Sequence, residues 1–141
     1  MKILVAVDGS PYTQKALAYL AEHRAMFVEG HELVVLHVCT ALPGNVKRHV
    51  AKEIVDGYYA EEAAKVFEPV KKALTEHGVS AFTTQERHGH APEEIVAAAK
   101  EAGAGLIVMG THGHGLFGRA LMGSVASKVI AESPVSVLLV K

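Results

Sequence analysis

The chain has 141 residues, half of them hydrophobic, and its 14 basic and 15 acidic side chains leave a formal net charge of -1. That length and apolar content predict one domain, residues 1–141, with a real core, and exclude a disordered chain. The charges are scattered, so no basic stripe points to nucleic acid. One cysteine, Cys39, excludes an intramolecular disulfide. No signal-like start and no apolar run of about 18 residues is visible, so the expected location is the reducing cytoplasm, without membrane insertion.

Lys2 to Val7 (KILVAV) reads as a buried strand ending at Asp8-Gly9-Ser10, with Ser10 placed to cap a helix that Pro11 opens. Ala16, Leu17, Leu20, Ala21 and Val28 form the apolar face of that helix, Gly30 stops it, and Glu32 to Val38 reads as a second strand. After a loop at Ala41 to Asn45, residues Lys47 to His77 follow a helical period that Pro69 is expected to kink or split. Val79 to Arg87 is the third strand. A helix through Ile95, Val96, Ala99 and Ala102 stops at Gly103, and a fourth strand lies between Gly105 and Gly110. Leu121, Met122, Val125, Ala126, Val129 and Ile130 form the inner face of a last helix, and Val135 to Val140 is a fifth strand. Fivefold strand–helix alternation with near-continuously apolar strands predicts an α/β fold, a parallel sheet covered by helices on both faces. Such folds bind ligands beyond the carboxyl ends of their strands, where Asp8, Val38, Cys39 and Gly110 fall.

The segment Gly110 to Ser124, GTHGHGLFGRALMGS, carries five glycines between the fourth strand and the last helix. Glycine-rich backbone at a helix N-terminus suits phosphate; a tight turn is the plainer alternative, though it needs fewer glycines. Gly113-His114-Gly115-Leu116-Phe117-Gly118 satisfies G-x-G-x-x-G, but it follows the fourth strand rather than the first. Its nearest acid, Glu132, falls in or at the end of a helix. No Walker-type P-loop sequence is present.

Gly110, two residues, Gly113, nine residues, then Gly123-Ser124, together with ILVAVDGS, GSVASKV and PVSVLLVK, resembles the ATP-binding universal stress proteins over the whole chain. The resemblance implies a three-layer Rossmann-like (adenine nucleotide alpha hydrolase-like) fold with a five-stranded parallel sheet in the order 3-2-1-4-5. It implies that Asp8 and the main chain at Val38 hold adenosine, and that Gly110, Gly113, Gly123, Ser124 and Val125 surround ribose and phosphates. Val7, Met109, His112, His114 and Gly115 complete the candidate set. ATP or another adenine nucleotide is the expected ligand, with Mg²⁺ held mainly by its phosphates. The family also implies a homodimer through Val135 to Val140, a bare apolar edge in that strand order; a monomer whose edge is shielded by a loop or the adjacent helix is the alternative.

Several of these residues have a second reading. Asp8 suits ligand contact and also ordinary helix-start chemistry. Arg119 suits phosphate pairing or cover of the helix start. His114, where relatives often carry a fixed cation, would make phosphate affinity depend on pH. The pairs His88/His90 and His112/His114 invite a zinc site, but no Cys-x-x-Cys or His-Glu-x-x-His accompanies them. Asp8, Arg119 and His114 are the only nominees for phosphoryl transfer, and their spacing fixes no roles; Cys39 reads as a small buried hydrophobe. The expected function is a dimeric, nucleotide-responsive stress regulator with an unknown protein partner. Slow ATP hydrolysis or self-phosphorylation, and an interaction scaffold without nucleotide, are the alternatives.

Overall fold

Strands this apolar must be covered on both sides, and in the computed structural model, which describes residues 1–113 and 122–141, helices do so. The elements are β1 Lys2–Ala6, α1 Pro11–Glu22, α2 Arg24–Phe27, β2 Glu32–Cys39, α3 Gly44–His49, α4 Lys52–Glu76, β3 Phe82–His88, α5 Ala91–Ala102, β4 Leu106–Gly110, α6 Ser124–Glu132 and β5 Ser136–Val140. The five strands form a parallel sheet in the order β3-β2-β1-β4-β5, as the resemblance implies. Alternation along each strand divides the core. Ile3, Val5, Leu33 and Val35 pack with Leu17, Leu20, Val70 and Leu74 of α1 and α4, while Leu4, Leu36 and Ile107 pack with Ile95, Ala99 and Val129 of α5 and α6. Burying each such side chain contributes roughly 1.5–3 kcal/mol.

Several boundaries depart from the sequence reading. The first helix breaks at His23, whose backbone leaves the helical region (φ -116°, ψ 42°) while its ring stacks on Tyr19 at 4.2 Å and its Nδ1 bonds the Tyr19 carbonyl. The long helical stretch divides at Val50 and Ala51, both extended, rather than at Pro69. Pro69 is exposed, so water can serve the Lys65 carbonyl that lacks its usual donor, and α4 continues through it. The third strand begins at Phe82. Of the residues expected on the inner face of the last helix, Ala126 and Val129 are buried, Ile130 is exposed, Met122 is exposed and precedes the helix, and Leu121 lies outside the described residues.

At the sheet's amino-terminal end, Arg24 of α2 donates from Nη1 to the His77 carbonyl (2.8 Å) and from Nη2 to the Gly78 carbonyl (3.1 Å). It supplies a charged C-terminal cap for α4 from a residue more than 50 positions away.

Candidate functional site

Adjacent strands part at the carboxyl edge of the sheet. Paired register between β1 and β2 ends at Ala6 and Leu36, after which the Val7 N–H donates to the Leu36 carbonyl at 2.8 Å. Along β2, even-numbered residues turn their main-chain groups toward β1 and odd-numbered ones toward β3, as Val7–Leu36 on one side and Gly89–Cys39 on the other record. Val38 therefore presents its N–H and C=O on the β1 side, beyond the end of the ladder, with no protein partner among the described residues. The Val7 carbonyl is occupied by the buried His37, whose Nδ1 lies 3.1 Å away.

One step on, the Asp8 carboxylate is fixed through Oδ1, which accepts from the Ser10 N–H (2.9 Å) and the Thr13 hydroxyl (3.0 Å); the Asp8 N–H donates to Thr13 Oγ1 at 2.8 Å. Both readings of Asp8 thus have a physical basis. Oδ1 organises the turn into α1, while Oδ2 faces Gly113 with no hydrogen-bond partner among the described residues. Ser10 occupies the N-cap position of α1 but makes no side-chain bond to the helix, contrary to its expected capping role. Among the described residues its buried hydroxyl has no partner, and Asp8 organises this turn instead.

The third wall comes from β4 and α6. Thr111 joins the two, its N–H donating to the Val140 carbonyl (3.0 Å) and its carbonyl accepting the Gly123 N–H at 2.7 Å. Gly110 and Gly113 owe their place to close approach rather than to positive φ, which neither they nor Gly123 adopt. A Cβ on Gly110 would stand 2.5 Å from Tyr12 Cβ, and one on Gly113 would stand 2.6 Å from Asp8 Oδ2. Helix α6 starts from Gly123, which offers no side-chain cap, and the N–H groups of its first turn, at Ser124, Val125 and Ala126, lie beside the cleft with no partner among the described residues. Thr111 Oγ1 and His112 Nδ1 lie 2.9 Å apart, and the His112 ring tilts against Tyr12.

These walls enclose one cleft of about 400 Å³. Of the twelve candidate residues, ten line it: Val7, Asp8, Val38, Met109, Gly110, His112, Gly113, Gly123, Ser124 and Val125. His114 and Gly115 lie outside the described residues, as does Arg119. Residues not anticipated from the sequence also line it, notably Thr13, His37, Tyr58 and Glu62. Thr13 alone had a local signal, five positions after the aspartate at a helix start; Tyr58 and Glu62 arrive by tertiary folding of α4. Cys39 also faces the cleft, with burial first and the Glu62 and Glu86 carboxylates after it pushing its thiol pKa up, so the thiol stays protonated.

No cluster of three metal-binding side chains occurs among the described residues. His88 Nε2 instead meets Glu86 while its ring stacks on Tyr59, and His90 Nδ1 lies 3.6 Å from Glu93. Beside them Arg87 bonds Glu94 (2.7 Å) and Glu101 (2.6 Å), tying β3 to α5, and this pairing holds the Glu101 carboxyl below its usual range.

The model of the universal stress protein family matches residues 1–141. The chain belongs to that family. The universal stress protein YxiE of Bacillus subtilis is 36% identical over 99% of this chain and 98% of its own length. Among solved structures, MJ0577 of Methanocaldococcus jannaschii superposes with a TM-score of 0.80 at 31% identity, covering 99% of this universal stress protein and 94% of that chain. A universal stress protein from Archaeoglobus fulgidus, solved in complex with dAMP, matches with a TM-score of 0.68 at 26% identity over 100% of this chain and 98% of that one.

Proposed function

We propose that this universal stress protein acts as one domain that binds an adenine nucleotide, ATP in its working state, and reports its presence to a protein partner. The observation that carries the reading is the convergence, in one cleft, of three groups without a partner among the described residues: the main-chain N–H and C=O at Val38, Oδ2 of Asp8 and the first turn of α6. Adjacent donor and acceptor groups at Val38 match the 6-amino and N1 edge of adenine. Asp8 Oδ2 accepts from ribose hydroxyls, and the amides of Ser124 and Val125 with the Ser124 hydroxyl hold phosphate at the positive end of α6. Mg²⁺ comes with the phosphates and neutralises part of their charge. The A. fulgidus relative with dAMP bound supports an adenine nucleotide as the ligand class.

The partner surface begins with a second copy of the chain. Among the described residues strand β5 pairs only with β4, and it carries half-buried Val137, Leu138 and Leu139, so its outer edge suits antiparallel pairing with its equivalent about a two-fold axis. Among the described residues no helix is long and apolar enough to cross a membrane, and the proposed setting is the cytoplasm.

Mass spectrometry of small molecules released from the purified, denatured protein, followed by calorimetric titration, tests the reading. An adenine nucleotide is the expected find, and a hundredfold excess over Kd should stabilise the fold by about 2.7 kcal/mol. No bound nucleotide and no thermal shift with millimolar ATP or AMP would overturn it. Steady phosphate release abolished by Asp8→Ala would replace the sensor with an ATPase. Light scattering should give twice the chain mass; a concentration-independent single-chain mass would refute the dimer.

A further inference from the structure

Val38 is open to a ligand because the ladder between β1 and β2 stops one bond early. In a parallel pair the bond from the Val7 N–H to the Leu36 carbonyl is followed by one from the Val38 N–H to the Val7 carbonyl. The second bond is missing: the Val7 carbonyl faces His37 Nδ1 at 3.1 Å. A carbonyl only accepts, so Nδ1 carries the proton. The ring has little freedom to leave, being 9% exposed and packed edge-on against Phe67 of α4, with centroids 6.2 Å apart and planes at 86°. Strand β2 nonetheless continues in register with β3 as far as Cys39 and His88, so Val38 is held rigidly on one side and left open on the other.

We propose that His37 is a positioning residue for base recognition. By occupying the Val7 carbonyl, the imidazole keeps the β1–β2 seam from closing and reserves the Val38 N–H and C=O for a ligand. This inference rests on the reading of the cleft as an adenine-nucleotide site, and it makes His37 the source of selectivity for a 6-aminopurine. A 6-aminopurine offers an acceptor at N1 beside an amino donor, complementary to the main chain of Val38, whereas a 6-oxopurine offers the reverse order and leaves both groups unpaired. A site built on such pairing discriminates strongly, because the wrong base strands buried polar groups. His37 needs no contact with the nucleotide to do this.

The test compares the unsubstituted protein with His37→Leu, which removes the donor, and with His37→Asn, whose Nδ2–H takes the place of Nδ1–H. Two readouts are used. The first is hydrogen exchange of the Val38 amide by NMR without nucleotide: it should be fast in the native chain and in the asparagine variant, and slow in the leucine variant, where Val7 recaptures it. The second is affinity. The leucine variant should bind ATP about tenfold more weakly or worse, the size of one or two hydrogen bonds, and inorganic tripolyphosphate equally well; asparagine should restore ATP binding. Equal exchange at Val38 in the native and leucine proteins, or asparagine binding ATP as weakly as leucine, would overturn the proposal. Should the leucine variant not fold, protection of the Val38 amide in the unsubstituted protein overturns it alone, and rapid exchange there supports it. If the unsubstituted protein binds no ATP, the nucleotide reading falls and the selectivity with it, while the exchange comparison still decides whether His37 holds the seam open.

Discussion

Gly113→Ala introduces one methyl group, and its cost follows from the neighbour it meets. The new Cβ would stand 2.6 Å from Asp8 Oδ2, inside van der Waals contact. A flexible carboxylate would swing aside at little expense, but Oδ1 of the same group is held by the Ser10 N–H and the Thr13 hydroxyl. Turning the carboxylate displaces both oxygens and breaks at least one hydrogen bond to an ionised acceptor, worth about 1.5–3 kcal/mol. At roughly 2–4 °C per kcal/mol for a chain of this size, the thermal midpoint should fall by about 3–12 °C. Calorimetry of Gly113→Ala beside Gly44→Ala separates this contact from a generic glycine effect, since a Cβ on Gly44 meets nothing within 4 Å. Asp8→Ala in the Gly113→Ala background should add less than Asp8→Ala alone, because the shared contact is already lost. A Gly113→Ala protein with an unchanged midpoint would refute the idea that a fixed Asp8 carboxylate excludes side chains at that position.

The remaining expectations concern other elements. Because pairing with Arg87 lowers the Glu101 carboxyl, that contribution is fully present above the ordinary glutamate pKa of about 4.3 and is lost as pH falls through the lower folded value. The stability difference between native and Arg87→Met proteins, from urea unfolding at neutral and acidic pH, should therefore shrink on acidification; a difference that grows would contradict the pairing. Pro69→Ala should stabilise the protein by about 1–3 kcal/mol, since the exposed interior of α4 regains a backbone donor for the Lys65 carbonyl. Urea unfolding measures it, and a destabilised variant would show that the ring packs against something the helix needs.

The strand ends were legible because apolar runs stop abruptly at Asp8, at Val38-Cys39 and at Gly110, and chain punctuation of this kind survives folding. Strand order was not in the periodicity and came only with the family resemblance. The breaks at His23 and at Val50-Ala51 carry no glycine or proline: at His23 a ring stacked on Tyr19, four residues back, accompanies the break, and at Val50-Ala51 nothing in the structure explains it. Pro69 does not split α4, because on an exposed face of the helix the carbonyl it leaves without a donor is open to water. At the site, Asp8 and Gly113 were anticipated but their mutual contact was not, since more than a hundred residues separate them. His37 read as an ordinary strand residue, and nothing local revealed that its ring replaces a main-chain donor.

Arg24 grips the end of α4 at the margin of the sheet opposite the cleft. Upkeep of the scaffold and handling of a guest are thereby assigned to opposite poles of the same strands. Residues around one pole can be exchanged, in engineering or by drift, with little consequence for chemistry at the other.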